Sequence, residues 1–109
     1  MQAVSTYKNI NRGINQYTNN TIMNATPEEL ILRIYDFLIV QLRKEDASKS
    51  NRAINELIAS LNFEYQEASE GLFRLYQYCL DCTYAGKYGE ALEIIEGLRE
   101  SWSSAFGLK

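Results

Sequence analysis

Apolar residues recur along this chain in four blocks at helical spacing, and no stretch alternates in the manner of a strand. The first block is the most apolar. Leu30, Ile34, Phe37 and Leu38 form one stripe, and Ile31, Leu32, Tyr35, Ile39 and Leu42 widen it round most of the circumference. Its start is marked by Thr26 as an N-cap, Pro27 at the first helical position and Glu29 three residues after the cap. These signals predict a helix from Pro27 to about Lys44. A helix apolar on nearly every side is either central to a core or covered by something else. A chain this short cannot surround a helix completely, so part of this surface is expected to meet the N-terminal arm or a partner protein.

A polar turn at Asp46 and Ser48 leads to a second block, with Ile54, Leu57, Ile58 and Leu61 on one face and Arg52, Asn55 and Glu56 opposite. Residues 62–69 read as a turn. The third block places Leu72, Leu75, Tyr76, Cys79 and Thr83 on one face, flanked by Phe73, Leu80 and Tyr84. Gly86 suits the position after a helix C-cap, and with Gly89 it brackets a tight connection. The fourth block has Ala91, Ile94, Ile95, Leu98, Trp102 and Ala105 inward. Gly97 inside it costs about 1 kcal/mol relative to Ala and suggests a close helix approach. Four amphipathic helices with short links predict an all-α fold, an antiparallel up-down four-helix bundle over residues 25–109. Residues 1–24 are expected to form a flexible or loosely docked N-terminal arm. The arm is rich in Asn, Thr and Gln, and is a poor autonomous helix. Ile10, Ile14 and Tyr17 nevertheless share a helical face that could dock on the bundle.

At 109 residues the chain is one domain, able to bury a single core without staples. Its net charge of −3 argues against nucleic acid, which asks for a basic face. Met1 is followed by a polar stretch with no apolar core of a signal peptide. The run from Ile31 to Val40 is broken by Arg33 and Asp36 and is too short to span a bilayer. No membrane insertion and a cytoplasmic location are therefore expected.

The two cysteines, Cys79 and Cys82, invite a redox or a zinc reading. With no histidine in the chain the zinc ligand supply ends at two. A redox pair sits at a helix N-terminus, whereas this pair lies inside an apolar helical pattern, so ordinary packing is expected. No Gly-rich phosphate loop, nucleophile elbow or metal spacing is present. No catalytic residue, cofactor or metal is expected, and the chain does not read as an enzyme. Glu28 and Glu29 are explained by capping. Glu64, Glu67 and Glu70 could be paired carboxylates, but a solvated helix start explains them more simply. Tyr76, Tyr78, Tyr84 and Tyr88 suit partner surfaces and half-buried bundle rims alike.

Several stretches resemble one family. Tyr17-Thr-Asn-Asn-Thr-Ile22 followed by Ala25-Thr-Pro-Glu-Glu-Leu-Ile-Leu-Arg-Ile-Tyr-Asp36 is similar to the N-terminal signature of the flagellin-specific export chaperones, the FliS family. Leu61-Asn62, then Leu72, Leu75-Tyr76 and Tyr78, then Leu98-Arg-Glu-Ser-Trp102 resemble its later motifs in the same order. The family's Gly-Gly-Glu-Ile-Ala stretch is replaced by Glu67-Ala-Ser-Glu-Gly71. The usual turn between the third and fourth helices is absent. The first and last hairpins look shortened, and in an up-down bundle they share one end, which leaves the Pro27 end as the better match.

The resemblance implies a cytoplasmic helical bundle that binds the disordered C-terminal segment of flagellin, blocks premature polymerisation and hands the subunit to the flagellar export apparatus. Leu30, Ile31, Ile34, Tyr35, Leu38, Leu72 and Tyr76 are then the expected groove contacts. Ile10, Ile14, Tyr17 and Ile22 become an arm that covers apolar surface until the client displaces it. Three other readings compete. Gly86 to Leu92 resembles half of a tetratricopeptide repeat, but no second copy recurs. A dithiol oxidoreductase would use Cys79 and Cys82. A structural bundle would self-associate through its first helix as a homodimer.

Overall fold

The first helix begins where its capping residues place it. In a computed structural model, which describes residues 24–108, the Glu29 N–H donates to Thr26 Oγ1 at 3.1 Å and the Thr26 N–H donates to Glu29 Oε1 at 2.9 Å. The backbone N–H of Thr26 favours the ionised carboxylate and holds the Glu29 carboxyl below its ordinary range. From this capping box α1 runs over Pro27–Arg43. It is followed by α2 (Ala47–Ala59), a 3₁₀ turn (Phe63–Tyr65), α3 (Gln66–Tyr84) and α4 (Tyr88–Ala105). All regular structure among the described residues is helical. The fold is the expected antiparallel bundle; the expected arm lies outside the described residues. α1 and α3 stand at diagonal corners, and each packs on both α2 and α4.

Both hairpins at the far end close in the same way. After α1, Glu45 takes a left-handed φ of 55°, its N–H reaches Leu42 O at 3.0 Å, and the Asp46 N–H reaches Gln41 O at 3.0 Å. After α3, Gly86 takes a φ of 77°, its N–H reaches Thr83 O at 3.2 Å, and the Lys87 N–H reaches Cys82 O at 2.7 Å. These are Schellman closures, which satisfy carbonyls that a helix end otherwise leaves orphaned. Asp46 then caps α2 directly, accepting from the Lys49 N–H at 2.9 Å. Each link is therefore as short as a helical hairpin allows.

α1 supplies the largest share of the core. Ile34, Tyr35, Leu38 and Leu42 are buried, and meet Ala53, Ile54 and Leu57 of α2, Tyr76 and Cys79 of α3, and Ala91 and Ile95 of α4. One polar contact crosses this core on the diagonal, between the hydroxyls of Tyr35 and Tyr76 at 2.5 Å. One phenol donates and the other accepts, so each has a partner within the core. Burial pushes the Tyr35 phenol up to about 12 and raises Tyr76 as well. Along the seam between α1 and α4, three contacts fix the antiparallel register. Trp102 Nε1 donates to Glu28 O at 2.8 Å, Arg99 Nε pairs with Asp36 Oδ1 at 2.7 Å, and Arg43 pairs with Glu96 at 2.8 Å.

Four expectations are corrected. Residues 62–69 are not a turn throughout, because α3 starts at Gln66. Asn62 Oδ1 accepts the Glu64 N–H at 2.9 Å and Ser69 Oγ donates to Asn62 O at 2.6 Å, so these polar residues fasten a short corner. Leu75 is 38% exposed, since the inner stripe of α3 runs through Ser69, Leu72, Tyr76, Cys79 and Thr83 and leaves Leu75 out of phase. Ala105 is exposed in the last turn of α4. Gly97 makes no close approach, because a Cβ placed there would meet nothing within 4 Å.

Two sets of variants test this account. Tyr35→Phe or Tyr76→Phe alone leaves one buried hydroxyl unpartnered and is expected to cost about 1–3 kcal/mol, whereas the double variant is expected to be near neutral. The pH dependence follows from the raised phenols. Below about pH 10 both folded and unfolded states keep the protons. Between there and the folded-state value of about 12 for Tyr35 the unfolded chain loses its protons first, so stability falls as pH rises. Urea titrations near neutrality and near pH ~11 should show this alkaline loss in the native sequence and a shallower one in the double variant. Separately, Gly97→Ala and Glu45→Gly are each expected to stabilise by up to about 1 kcal/mol, a rise of several degrees in Tm by calorimetry.

Candidate functional site

At the end opposite the two tight hairpins, α1 and α3 begin and α2 and α4 finish. The connection over 60–65 spans one side of this end and the C-terminal turn closes another. There the chain ends its last helix with a third left-handed residue, Gly107 at φ 63°, and Leu108 N–H reaches Ser103 O at 2.8 Å. The four helix ends leave a pocket of about 360 Å³ between them. That volume is within the range of about 300–1,000 Å³ typical of binding pockets. Pro27, Glu28 and Ile31 of α1 form one wall, and Trp102 with Phe106 a second. Ser60, Leu61, Asn62 and Tyr65 form a third, and Ala68, Ser69, Leu72 and Tyr76 of α3 the fourth.

An aromatic chain connects the core to this pocket. The Tyr76 hydroxyl meets Tyr35, the Tyr35 ring meets Trp102 edge-on at 6.4 Å, and Trp102 stands 4.7 Å from Phe106, which is half exposed. Aromatic pairs favour such tilted and edge-on arrangements. The polar groups that line the pocket are mostly engaged within the protein. Trp102 Nε1 donates to Glu28 O at 2.8 Å, Ser60 Oγ to Leu57 O at 2.6 Å, and Ser69 Oγ to Asn62 O at 2.6 Å. The pocket therefore offers hydrocarbon and aromatic surface, with Glu28 as its charged lining residue. Such a lining fits large apolar side chains.

Of the residues expected to contact a partner, the structure brings Ile31, Leu72 and Tyr76 together at this pocket. Leu30, Ile34, Tyr35 and Leu38 lie within the core; Ile34 and Leu38 are fully enclosed and Tyr35 nearly so. Ile10, Ile14, Tyr17 and Ile22 lie outside the described residues. Pattern reading did not single out Leu61, Tyr65, Ala68 or Phe106 as site residues, and placed Trp102 only on an inner stripe. The available signal was topological. An up-down bundle must bring the residues near Pro27, Leu61 and Trp102 to one end.

The cysteines behave as packing residues. Cys79 and Cys82 are both buried, and neither forms a disulfide. Burial drives the Cys79 thiol up to about 12 and raises Cys82 too. Beside them Tyr78 donates its hydroxyl to Glu90 Oε2, and the same oxygen lies 3.7 Å from Cys82 Sγ. The Glu90 carboxylate raises the Tyr78 phenol to about 12, and the Tyr78 hydroxyl lowers Glu90 in return. This arrangement links α3 to α4, and although Lys87 favours the Cys82 thiolate, burial and the Glu90 carboxylate keep the thiol raised. Among the described residues no group of side chains could hold a metal ion, and no helix is long and apolar enough to cross a membrane. Titration with a disulfide reagent near neutral pH should leave both thiols unreacted in the folded chain and modify both in denaturant. Rapid reaction of the folded chain would show that the helix opens around them.

A family model described as flagellar protein FliS matches residues 10–107. No curated protein and no solved structure matches the chain.

Proposed function

The chain belongs to the FliS family of flagellar proteins, and from that premise we propose that it is a cytoplasmic export chaperone for flagellin. The match covers nearly the whole bundle, so membership rests on more than a local motif. In this reading the client is the C-terminal segment of flagellin, held as helices against apolar surface so that it neither polymerises early nor aggregates. The flagellar export apparatus receives it. The observation that carries the reading is the pocket at the Pro27 end, whose lining is apolar and whose polar atoms are largely engaged within the protein. A segment that folds on binding can place the large side chains of one helix face into such a pocket. Spreading modest affinity over a wrapped surface keeps the client releasable. Ile31, Leu72 and Tyr76, with Leu61, Trp102 and Phe106, are the contacts assigned to the client. Ile10, Ile14, Tyr17 and Ile22 are assigned to an arm that competes with the client for apolar surface.

Calorimetric titration of the full chain with a peptide of the last ~40 residues of flagellin from the same genome tests the reading, that length being enough for two or three helices. Binding at micromolar strength or better is expected, with the negative heat-capacity change of coupled folding onto apolar surface. Ala68 is exposed at the pocket wall, so Ala68→Trp should fill the pocket at little cost to the fold. It is expected to weaken binding by about tenfold, an ordinary loss for a blocked anchor site. No binding by the native chain, or equal binding by a folded Ala68→Trp variant, would reject the site.

A further inference from the structure

Among the described residues, the lining of the pocket contains no Lys or Arg. Residues 24–32, 53–73 and 100–108 contain no Lys or Arg, while Glu28 lines the pocket and Glu64 and Glu67 stand exposed beside its lining residues Tyr65 and Ala68. Glu29 and Glu70 add carboxylates that are engaged with the Thr26 N–H and with Gln66 Nε2. The basic side chains gather elsewhere. Arg43, Lys44, Lys49, Arg52 and Lys87 lie at or near the hairpin end, Arg99 is paired with Asp36, and the exposed Arg33 and Arg74 lie along α1 and α3 outside the lining, Arg33 acting on Glu29.

The helix termini act in the same sense. α2 and α4 finish at the pocket end with no basic residue in their last turns, so no side chain there answers the negative ends of their dipoles. α1 finishes at the far end and does carry Arg43 in its last turn. The positive ends of α1 and α3 also face the pocket. Glu28, Glu29 and Glu67 in their first turns offset them. Among the described residues, carboxylates thus outnumber cations around the apolar pocket, and Glu28 is the charged residue in its lining.

We propose that this pocket selects a basic amphipathic helix, one that inserts an apolar side chain and carries Lys or Arg within a turn of it. The inference rests on the reading of the pocket as the client site. The lining alone accepts any apolar side chain of suitable size, so it does not distinguish one amphipathic segment from another. The rim does, because an acidic flank would meet Glu28, Glu64 and Glu67 as like charges while a basic flank would pair with them. Exposed pairs are weak singly, and two or three together are worth roughly 3- to 10-fold in affinity.

The test uses two designed helical peptides of about five turns, identical in their Leu anchors and differing only in Lys or Glu flanks. Fluorescence anisotropy with the full chain reads their affinities in low salt, about 20 mM, and in high salt, about 500 mM, where exposed charges are screened within a few ångströms. The Lys peptide is expected to bind roughly 3- to 10-fold more tightly in low salt, and to lose that advantage in high salt. Glu64→Gln with Glu67→Gln should shrink the preference while the Leu-dependent affinity remains. Equal affinities in low salt, both reduced by Ala68→Trp, would overturn charge selection and leave the pocket reading intact. A Lys preference that Ala68→Trp leaves unchanged would place the charge effect outside the pocket and overturn the proposal. No binding of either peptide would overturn the pocket reading and the inference with it. Sedimentation showing a dimer that the peptide dissociates would assign the pocket to a second copy of the chain, again overturning it.

Discussion

The hydroxyl pair of Tyr35 and Tyr76 is the polar constraint that ties the diagonal of the bundle to its pocket. α1 and α3 are diagonal neighbours that meet through side chains of the core rather than along a packed seam. Two phenols taken out of water must each find a partner, and in this core each finds the other. A slide of either helix by one residue would part the two hydroxyls, so the pair marks the register of α1 against α3. The α1–α4 seam then follows. With Tyr35 fixed, its ring sets the position of Trp102, and the Trp102 indole reaches back to the carbonyl of Glu28. Tyr76 is at once the second member of the pair and part of the pocket lining. One polar contact in the core thereby shapes the apolar surface at the open end.

The ion pairs play a smaller part. Arg43 and Glu96 are largely exposed, and a pair of this kind adds little to stability in water. Arg99 and Asp36 are more sheltered and sit midway along the seam between α1 and α4. Their value is in register: with the Trp102 contact they mark three points along the seam, which excludes a shifted docking of α4. The stability itself comes from Ile34, Leu38, Leu42, Ile54, Leu57 and Ile95, each worth about 1.5–3 kcal/mol when fully buried.

What the sequence disclosed, and what it withheld, divides along physical lines. Local chemistry was legible. Thr26, Pro27 and Glu29 marked the start of α1 because a capping box is made by neighbours in the chain, and Gly86 marked the end of α3 because few other residues accept a left-handed φ. The same signal was silent at Glu45, where a glutamate takes that conformation. Period was legible, but phase at the edges was not: Leu75 and Ala105 are apolar, belong to helices, and still face water. The site was legible only in part. Helical spacing identifies residues that face inward, and so it offered Leu30, Ile34 and Leu38, which the core consumes. A pocket made by four helix ends draws on Pro27, Leu61, Leu72 and Trp102, which no single stripe contains. Their proximity is a property of topology, and it emerges only when the helices are laid side by side.

The hairpin turns have a consequence for motion. At 44–46 and 85–87 each link closes with a left-handed residue and leaves no slack, so α1 cannot shift along α2, nor α3 along α4, without melting a helix end. The longer link at 60–65 joins these two stiff arms, and it lies at the mouth of the pocket. The molecule is built like a pair of tongs whose pivot is also its grip. To part the hairpins about residues 60–65 would break the α1–α4 seam, from the Trp102 contact with Glu28 beside the pocket to the Arg43–Glu96 pair toward the far end. The grip is therefore held closed by the whole length of that seam, and the turns give it no other way to open.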